Sequence, residues 1–329
     1  MSERRVTSRD VARRAGVSQS TVSYVLNRTP GQSISEATRE RVLQAAEELG
    51  YTPSAAARAL RSGTTGVVVG VLADAPLGAV VVQVLEAFGQ AVEAQGYSVM
   101  FQRRRGRSLD EILQALTPVG VAQFAAFSAD ELAPARQRGI PVVGVSIDGT
   151  NGNVVRIPQH RVGEIQAAHL VERGHTRLGY AASADPLAVL LLRGRLAGVR
   201  EVCAAHGLPE PVVVDVPLYP DAAARAVRRL RNREEPVTAA VAYDDEVALA
   251  LLAGAHAVGV RVPEDLAVVG VDDVPMARLA QPPITTVRVH TDDTGTGLAR
   301  HLLRQLDPGL GLPEPDDEPS IDLVARAST

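Results

Sequence analysis

The chain has 329 residues, 46% hydrophobic and 22% charged, with a formal net charge of −4. This composition excludes collagen-like, low-complexity and disulfide-scaffold classes, and the length suits two or three domains. A single cysteine, Cys203, excludes an intrachain disulfide, and no apolar run approaches the ~18 residues of a membrane span.

The opening MSERRVTSRD is polar, which argues against a secretory leader and for a cytoplasmic protein. Residues 1–62 hold ten Arg and six Asp/Glu, a charge of +4, and the rest of the chain carries −8. A basic head on an acidic body suggests a polyanionic partner for the head alone, with a solvated surface as the alternative. All the basic residues are Arg, which reads as compositional bias. Thr7-Ser8-Arg9-Asp10 fits a capping box, so a helix begins near Ser8, with Val11, Ala12 and Ala15 on its apolar stripe. Gly16 stops it. Ser18 caps a second helix through about Asn27, with Val22, Val25 and Leu26 inward. Ser35 caps a third, Glu36 to Leu49, with Val42, Leu43, Ala46 and Leu49 on one face and Gly50 as its stop. Gly16-Val17-Ser18 has the length of a helix-turn-helix turn. The second helix leaves Gln19, Ser20, Thr21, Ser23 and Tyr24 exposed, side chains that bond base edges or phosphates. Arg9, Arg13 and Arg14 lie on the first helix, which in this motif crosses the DNA backbone.

Pro53 opens a short Ala-rich helical stretch to Arg61, too short to hold alone in water. From Gly66 onward, β-branched runs alternate with helical patterns. Strands are expected at 67–72, 97–101, 121–127, 141–147, 177–182, 211–216, 238–242 and 267–271, with a helix over 79–95 and a final strand over 321–327. Near-continuous apolar strands between helices imply parallel sheets covered on both faces, which bind ligands at their strands' carboxyl ends. Arg103-Arg104-Arg105-Gly106-Arg107 reads as a solvated loop, and Gly309 to Pro319 as a surface loop. The seven histidines show no metal spacing, and there is no G-x-S-x-G or Walker A motif, so neither an enzyme nor a cofactor is expected. No leucine heptad follows the final strand.

Val6 to Ala12, Ala15 to Ser18, Thr21-Val22-Ser23, Val25-Leu26-Asn27, Glu47 to Pro53 and Ala55 to Leu60 together resemble the LacI/GalR family of bacterial transcription regulators. The body is similar too, through His169-Leu170 with Gly174-His175, Arg195 to Gly198, Pro263 to Asp273 and Pro282 to Val287. The resemblance implies an all-α helix-turn-helix head over residues 1–52, a hinge helix and linker over 53–65, and an α/β periplasmic-binding-protein-like body over 66–329. That body is two doubly wound parallel-sheet subdomains, one about 66–159 plus 291–329, the other about 160–290. It also implies DNA contacts by Thr7, Ser18 and Asn27 beside those read above. In the hinge, Ala57 and Leu60 would enter the minor groove from two copies of the chain, the leucine wedging the central base step. Tyr24 stands where many members carry an arginine that reads guanine.

For the effector, the resemblance points to Arg195, a fork of donors, and Asp272, a pair of acceptors. Asp244 stands where Asn is usual, and Tyr219 near a position where some members stack an aromatic on a sugar. Asp74 to Gly78 and Pro158-Gln159 depart from the family pattern. The expectation is a homodimeric repressor that binds an inverted-repeat operator under control of a small-molecule effector, a carbohydrate or related metabolite, with no membrane partner. The alternatives are an activator, a corepressor-dependent regulator, or a carbohydrate-binding α/β protein without DNA function.

Overall fold

The structure is a computed structural model that describes residues 6–26, 33–51, 65–74, 77–125, 127–146, 154–185, 188–315 and 318–329. Asn27 and the hinge segment with Ala57 and Leu60 lie outside these residues.

In the head, α1 spans Ser8–Ala15, α2 Gln19–Leu26 and α3 Glu36–Glu48. The Asp10 carboxylate accepts from the Thr7 amide and hydroxyl at 3.0 and 2.7 Å, closing the first turn. Gly16 ends α1 at φ 68°, the left-handed conformation that glycine adopts without a Cβ penalty. Ser18 and Ser35 accept from the amides three residues on, Thr21 and Thr38. Val11, Val22, Val25 and Val42 close a small core with Ala12, Ala15, Ala45 and Ala46. Leu43, expected in that core, is 48% exposed. Positions 42, 45, 46 and 49 share the inward face of α3 at helical spacing, and residue 43 falls outside it.

The body has two sheets. In the first, β1 Val67–Leu72, β2 Ser98–Arg103, β3 Gly120–Phe124, β4 Val142–Ser146 and β5 Val154–Arg156 pair in parallel in the order β2-β1-β3-β4-β5. The second holds β6 Leu178–Ser183, β7 Val212–Val216, β8 Ala239–Ala242, β9 Ala267–Val271, β10 Thr285–Val289 and β11 Ile321–Val324. Its order is β11-β10-β9-β8-β6-β7, parallel except for β11 against β10. The expected two-sheet α/β body is observed. Strands β5 and β10 were not anticipated: one is only three residues long, and the other carries Thr285, Thr286 and Arg288 in place of a continuous apolar run.

The helices are α4 Ala79–Glu93, α5 Leu109–Leu116, α6 Ala129–Gln137, α7 Gln159–Glu172, α8 Val189–Ala205, α9 Pro220–Arg231, α10 Asp245–Ala257, α11 Pro275–Leu279 and α12 Thr291–Leu306. The C-terminal segment divides between the sheets. Helix α12 buries Leu298 and Leu302 with Phe88 and Val92 of α4 against the first sheet. Residues 321–329, expected with that subdomain, instead join the second sheet. There β10 offers β11 an open edge, and Ser328 bonds the Val268 carbonyl and the Thr285 amide.

Candidate effector cleft and DNA-reading head

Both sheets are doubly wound, and in the second the strand order reverses between β6 and β8. The carboxyl ends of strands flanking such a switch point form a crevice. Tyr243 and Asp244 follow β8 there, and Asp272 follows β9.

Arg195 reaches this rim from α8, and its packing explains how. Helices α7 and α8 cross with backbones almost touching. A Cβ at Gly163 would sit 1.9 Å from the Arg195 carbonyl, and one at Gly198 would sit 2.1 Å from the His160 carbonyl. The close crossing buries Arg195, which is 5% exposed. Its Nε donates to Gln159 Oε1 at 2.7 Å, and Nη1 donates to the Tyr243 carbonyl. The guanidinium lies 4.8 Å over the Tyr243 ring. Nη2 stands 4.0 Å from Asp272 Oδ1, a charge pair too far apart for a hydrogen bond.

Asp272 is held in strain. Its φ is 102°, and that of Asp273 is 49°, both in the left-handed region disfavoured for residues with a Cβ. The next side chain pins the turn. Asp273, 3% exposed, accepts from Arg288 Nη2 at 2.5 Å and from Arg326, with Arg278 at 3.8 Å. Burial pushes the Asp273 carboxyl upward, and these arginines more than offset it, holding it below the usual range. Burial pushes Asp272 up to about 6 against the pull of Arg195, and Asp244 and Glu246 add repulsion. Asp244 caps α10, accepting from the Val247 amide at 2.7 Å. Burial also raises its carboxyl, against that hydrogen bond and Arg195. Asp245, fully buried beneath the rim, accepts from Thr286 Oγ1 at 2.7 Å and from the Val274 amide at 2.9 Å. Burial drives it to about 7.

The structure therefore brings Arg195, Asp272 and Asp244 together. It does not bring in Tyr219, which is 72% exposed at the start of α9. Tyr219 follows the edge strand β7, and β6 separates that strand from β8. Gln159 and Tyr243 complete the cluster. Sequence reading passed over Gln159 except as a departure from pattern, because a lone glutamine carries no chemical signature.

In the head, Thr7, Arg9, Ser18, Gln19, Ser20 and Tyr24 are exposed, and Thr21 and Ser23 are half-buried. Gln19 Nε2 donates to Ser8 Oγ at 2.8 Å, joining α2 to the start of α1. Arg13 and Arg14, expected toward phosphates, are exposed and pair with Asp10 and Glu48, each at 2.5 Å. The basic run after β2 is only partly solvated. Arg104 pairs with Glu131 and lies 4.7 Å over the Phe127 ring, and Arg103 donates to the Ala73 carbonyl at 3.1 Å. Among the described residues, His160, Glu164 and Glu201 bring one ligand atom each within 4.8 Å of one another. The α7–α8 crossing creates this grouping, which linear spacing did not reveal. The two ring nitrogens of His160 already face Glu164 at 3.2 Å and Glu201 at 2.9 Å.

Residues 7–54 match the bacterial regulatory proteins of the lacI family, and residues 167–329 match a periplasmic binding protein-like domain. The HTH-type transcriptional regulator MalR of Streptomyces coelicolor is 34% identical, over 97% of this chain and 95% of that protein. The chain belongs to the LacI family. It is a DNA-binding transcriptional regulator with a periplasmic-binding-protein-like body. Another LacI-family relative, the transcriptional repressor PurR of Vibrio atlanticus, is 28% identical over 91% of this chain and 92% of its own. Among solved structures, the transcriptional regulator CelR–cellobiose complex matches 99% of this chain and 100% of its own, with TM-score 0.68 and 28% identity. The Lac repressor dimer bound to operator and an anti-inducer shares the LacI-family fold, with TM-score 0.84, 24% identity and 99% of both chains covered. No helix among the described residues is long and apolar enough to cross a membrane.

Proposed function

We propose that this LacI-family regulator is a cytoplasmic homodimeric repressor whose hold on an inverted-repeat operator is set by a small carbohydrate or related metabolite. The observation that carries the effector reading is the open pair of Arg195 and Asp272 at the switch point, held 4.0 Å apart with Asp244 alongside. A hydroxyl-rich ligand can accept from Nη2 and donate to both carboxylates. Tyr219 is left out of this reading. Asp272, Asp244 and Glu246 place negative charge against a single arginine, which favours neutral polyols over phosphorylated ones. The relatives' names agree, since one is a repressor and another structure is a complex with cellobiose.

For operator contact the reading uses Arg9, Gln19, Ser20, Thr21, Ser23 and Tyr24, with Thr7 and Ser18 at the helix starts and, from sequence, Asn27, Ala57 and Leu60. Two heads on a symmetric dimer meet symmetric half-sites. The test is fluorescence anisotropy on the inverted repeats found by genomic footprinting. Release is then titrated with neutral sugars, sugar phosphates and nucleosides. Binding as a monomer to an asymmetric site, or release by phosphate esters alone, would overturn the reading.

A further inference from the structure

Gln159 occupies an unusual place. Strand β5 ends the first sheet at Arg156, and two residues later Pro158 precedes α7, which belongs to the second lobe. Gln159 is the first residue of that helix. It is 3% exposed, and its backbone lies where the chain crosses between lobes. Gly194 makes room for it, since a Cβ there would fall 2.7 Å from Gln159 Cβ. About two turns further along the same buried face, Gln166 Nε2 donates to the Ala242 and Gly270 carbonyls at 2.9 and 3.1 Å. Those carbonyls end the strands that lead into Asp244 and Asp272. Helix α7 thus grips β8, β9 and Arg195 through two buried amides.

A free guanidinium beside a buried carboxylate closes into a direct, hydrogen-bonded ion pair. Arg195 and Asp272 do not close. Nε is bound to Gln159 and Nη1 to the Tyr243 carbonyl, so two of the three nitrogens are held by groups other than Asp272. We propose that Gln159 is a positioning residue that keeps the Arg195–Asp272 pair open for ligand, and that it ties this opening to the lobe crossing at Arg156–Pro158. Without its amide oxygen the guanidinium swings to Asp272, and the two groups satisfy each other. The biological meaning rests on the effector-cleft reading above, but the proposed geometry does not.

The test is made on the full-length, ligand-free protein, by carbon-13 NMR titration of the Asp272 carboxyl. Removing the acceptor with Gln159→Leu lets Arg195 close on Asp272, so the Asp272 titration midpoint falls by about one pH unit. Gln159→Glu keeps an acceptor at the same place and leaves the midpoint at or above the parent's. Gln159→Asn, too short to reach Nε, repeats the fall with less change of polarity and serves if the leucine variant does not fold. The carboxyl groups facing Asp272, Asp244 and Glu246, are followed in the same spectra, so that a general loosening is told apart from closure of one pair. A midpoint in Gln159→Asn or Gln159→Leu equal to the parent's overturns the proposal. Because no ligand enters the experiment, failure of every sugar to release operator would bear on the effector reading and not on this one.

Discussion

Asp272 and Arg195 face the same crevice but do not carry the same structural burden. Asp272 makes no side-chain hydrogen bond among the described residues and is 18% exposed, so Asp272→Asn is expected to leave folding and operator binding intact. It should weaken effector response by roughly ten- to a hundredfold, read as the midpoint of operator release. Arg195→Ala strands the Gln159 oxygen and the Tyr243 carbonyl in the interior. It is expected to cost about 2–4 kcal/mol in chemical denaturation as well as effector response. Titration gives a second residue-scale expectation. Asp245 and Asp272 stand near 7 and 6 when folded, against an ordinary 3.8. Between about pH 4 and 7 these two groups therefore hold more protons in the folded chain than in the unfolded one, and their contribution to stability falls as pH rises through that window. Asp245→Asn keeps an oxygen for the Val274 amide and turns its NH2 to Thr286 Oγ1, and by removing the titrating carboxyl it flattens that slope. A denaturation series from pH 4 to 7.5 checks it.

At the scale of elements, the α7–α8 crossing is the feature most sensitive to one methyl group. Gly163→Ala drives a Cβ into the Arg195 carbonyl and is expected to cost about 1–3 kcal/mol and displace Arg195. Gly78→Ala, with nothing within 4 Å of the new methyl, should cost under about 1 kcal/mol. Thermal melts of the two variants decide the contrast. The elements also show where sequence was readable. Capping side chains, glycine stops and runs such as Val67 to Leu72 gave the head and most strands, because their signals are local. Strand β10 hid because its buried threonines find partners far away in sequence, Thr285 with Ser328 and Thr329 and Thr286 with Asp245. Of the candidate cluster, Arg195, Asp244 and Asp272 were legible through family pattern. Gln159 was not, since its contacts exist only where two helices meet, and the position of Tyr219 apart from the cluster could not be read from residue type.

For the whole molecule, the split of charge between head and body sets the response to salt. The body is acidic and the head basic, so DNA attraction is confined to one end of the chain. Operator affinity should fall steeply with salt, linearly on logarithmic axes, as Arg–phosphate contacts release counterions. Arg9→Ala should reduce the slope by about one, measured by anisotropy between 50 and 300 mM salt.

The divided C-terminal segment bears on how the protein is made. Helix α12 completes the packing of the first lobe, and residues 321–329 close the edge of the second, with Thr329 bonded to His169 and Thr285. On the ribosome, the head can fold once its own fifty or so residues emerge, since its contacts are local. The first lobe must wait for helix α12, holding the apolar faces of β3 and β4 uncovered while the second lobe is made, and the second lobe closes its β10 edge only with residues 321–329. The nascent chain is thus a DNA-reading module trailing an unfinished body, and its aggregation risk lasts until residues 291–329 have been made.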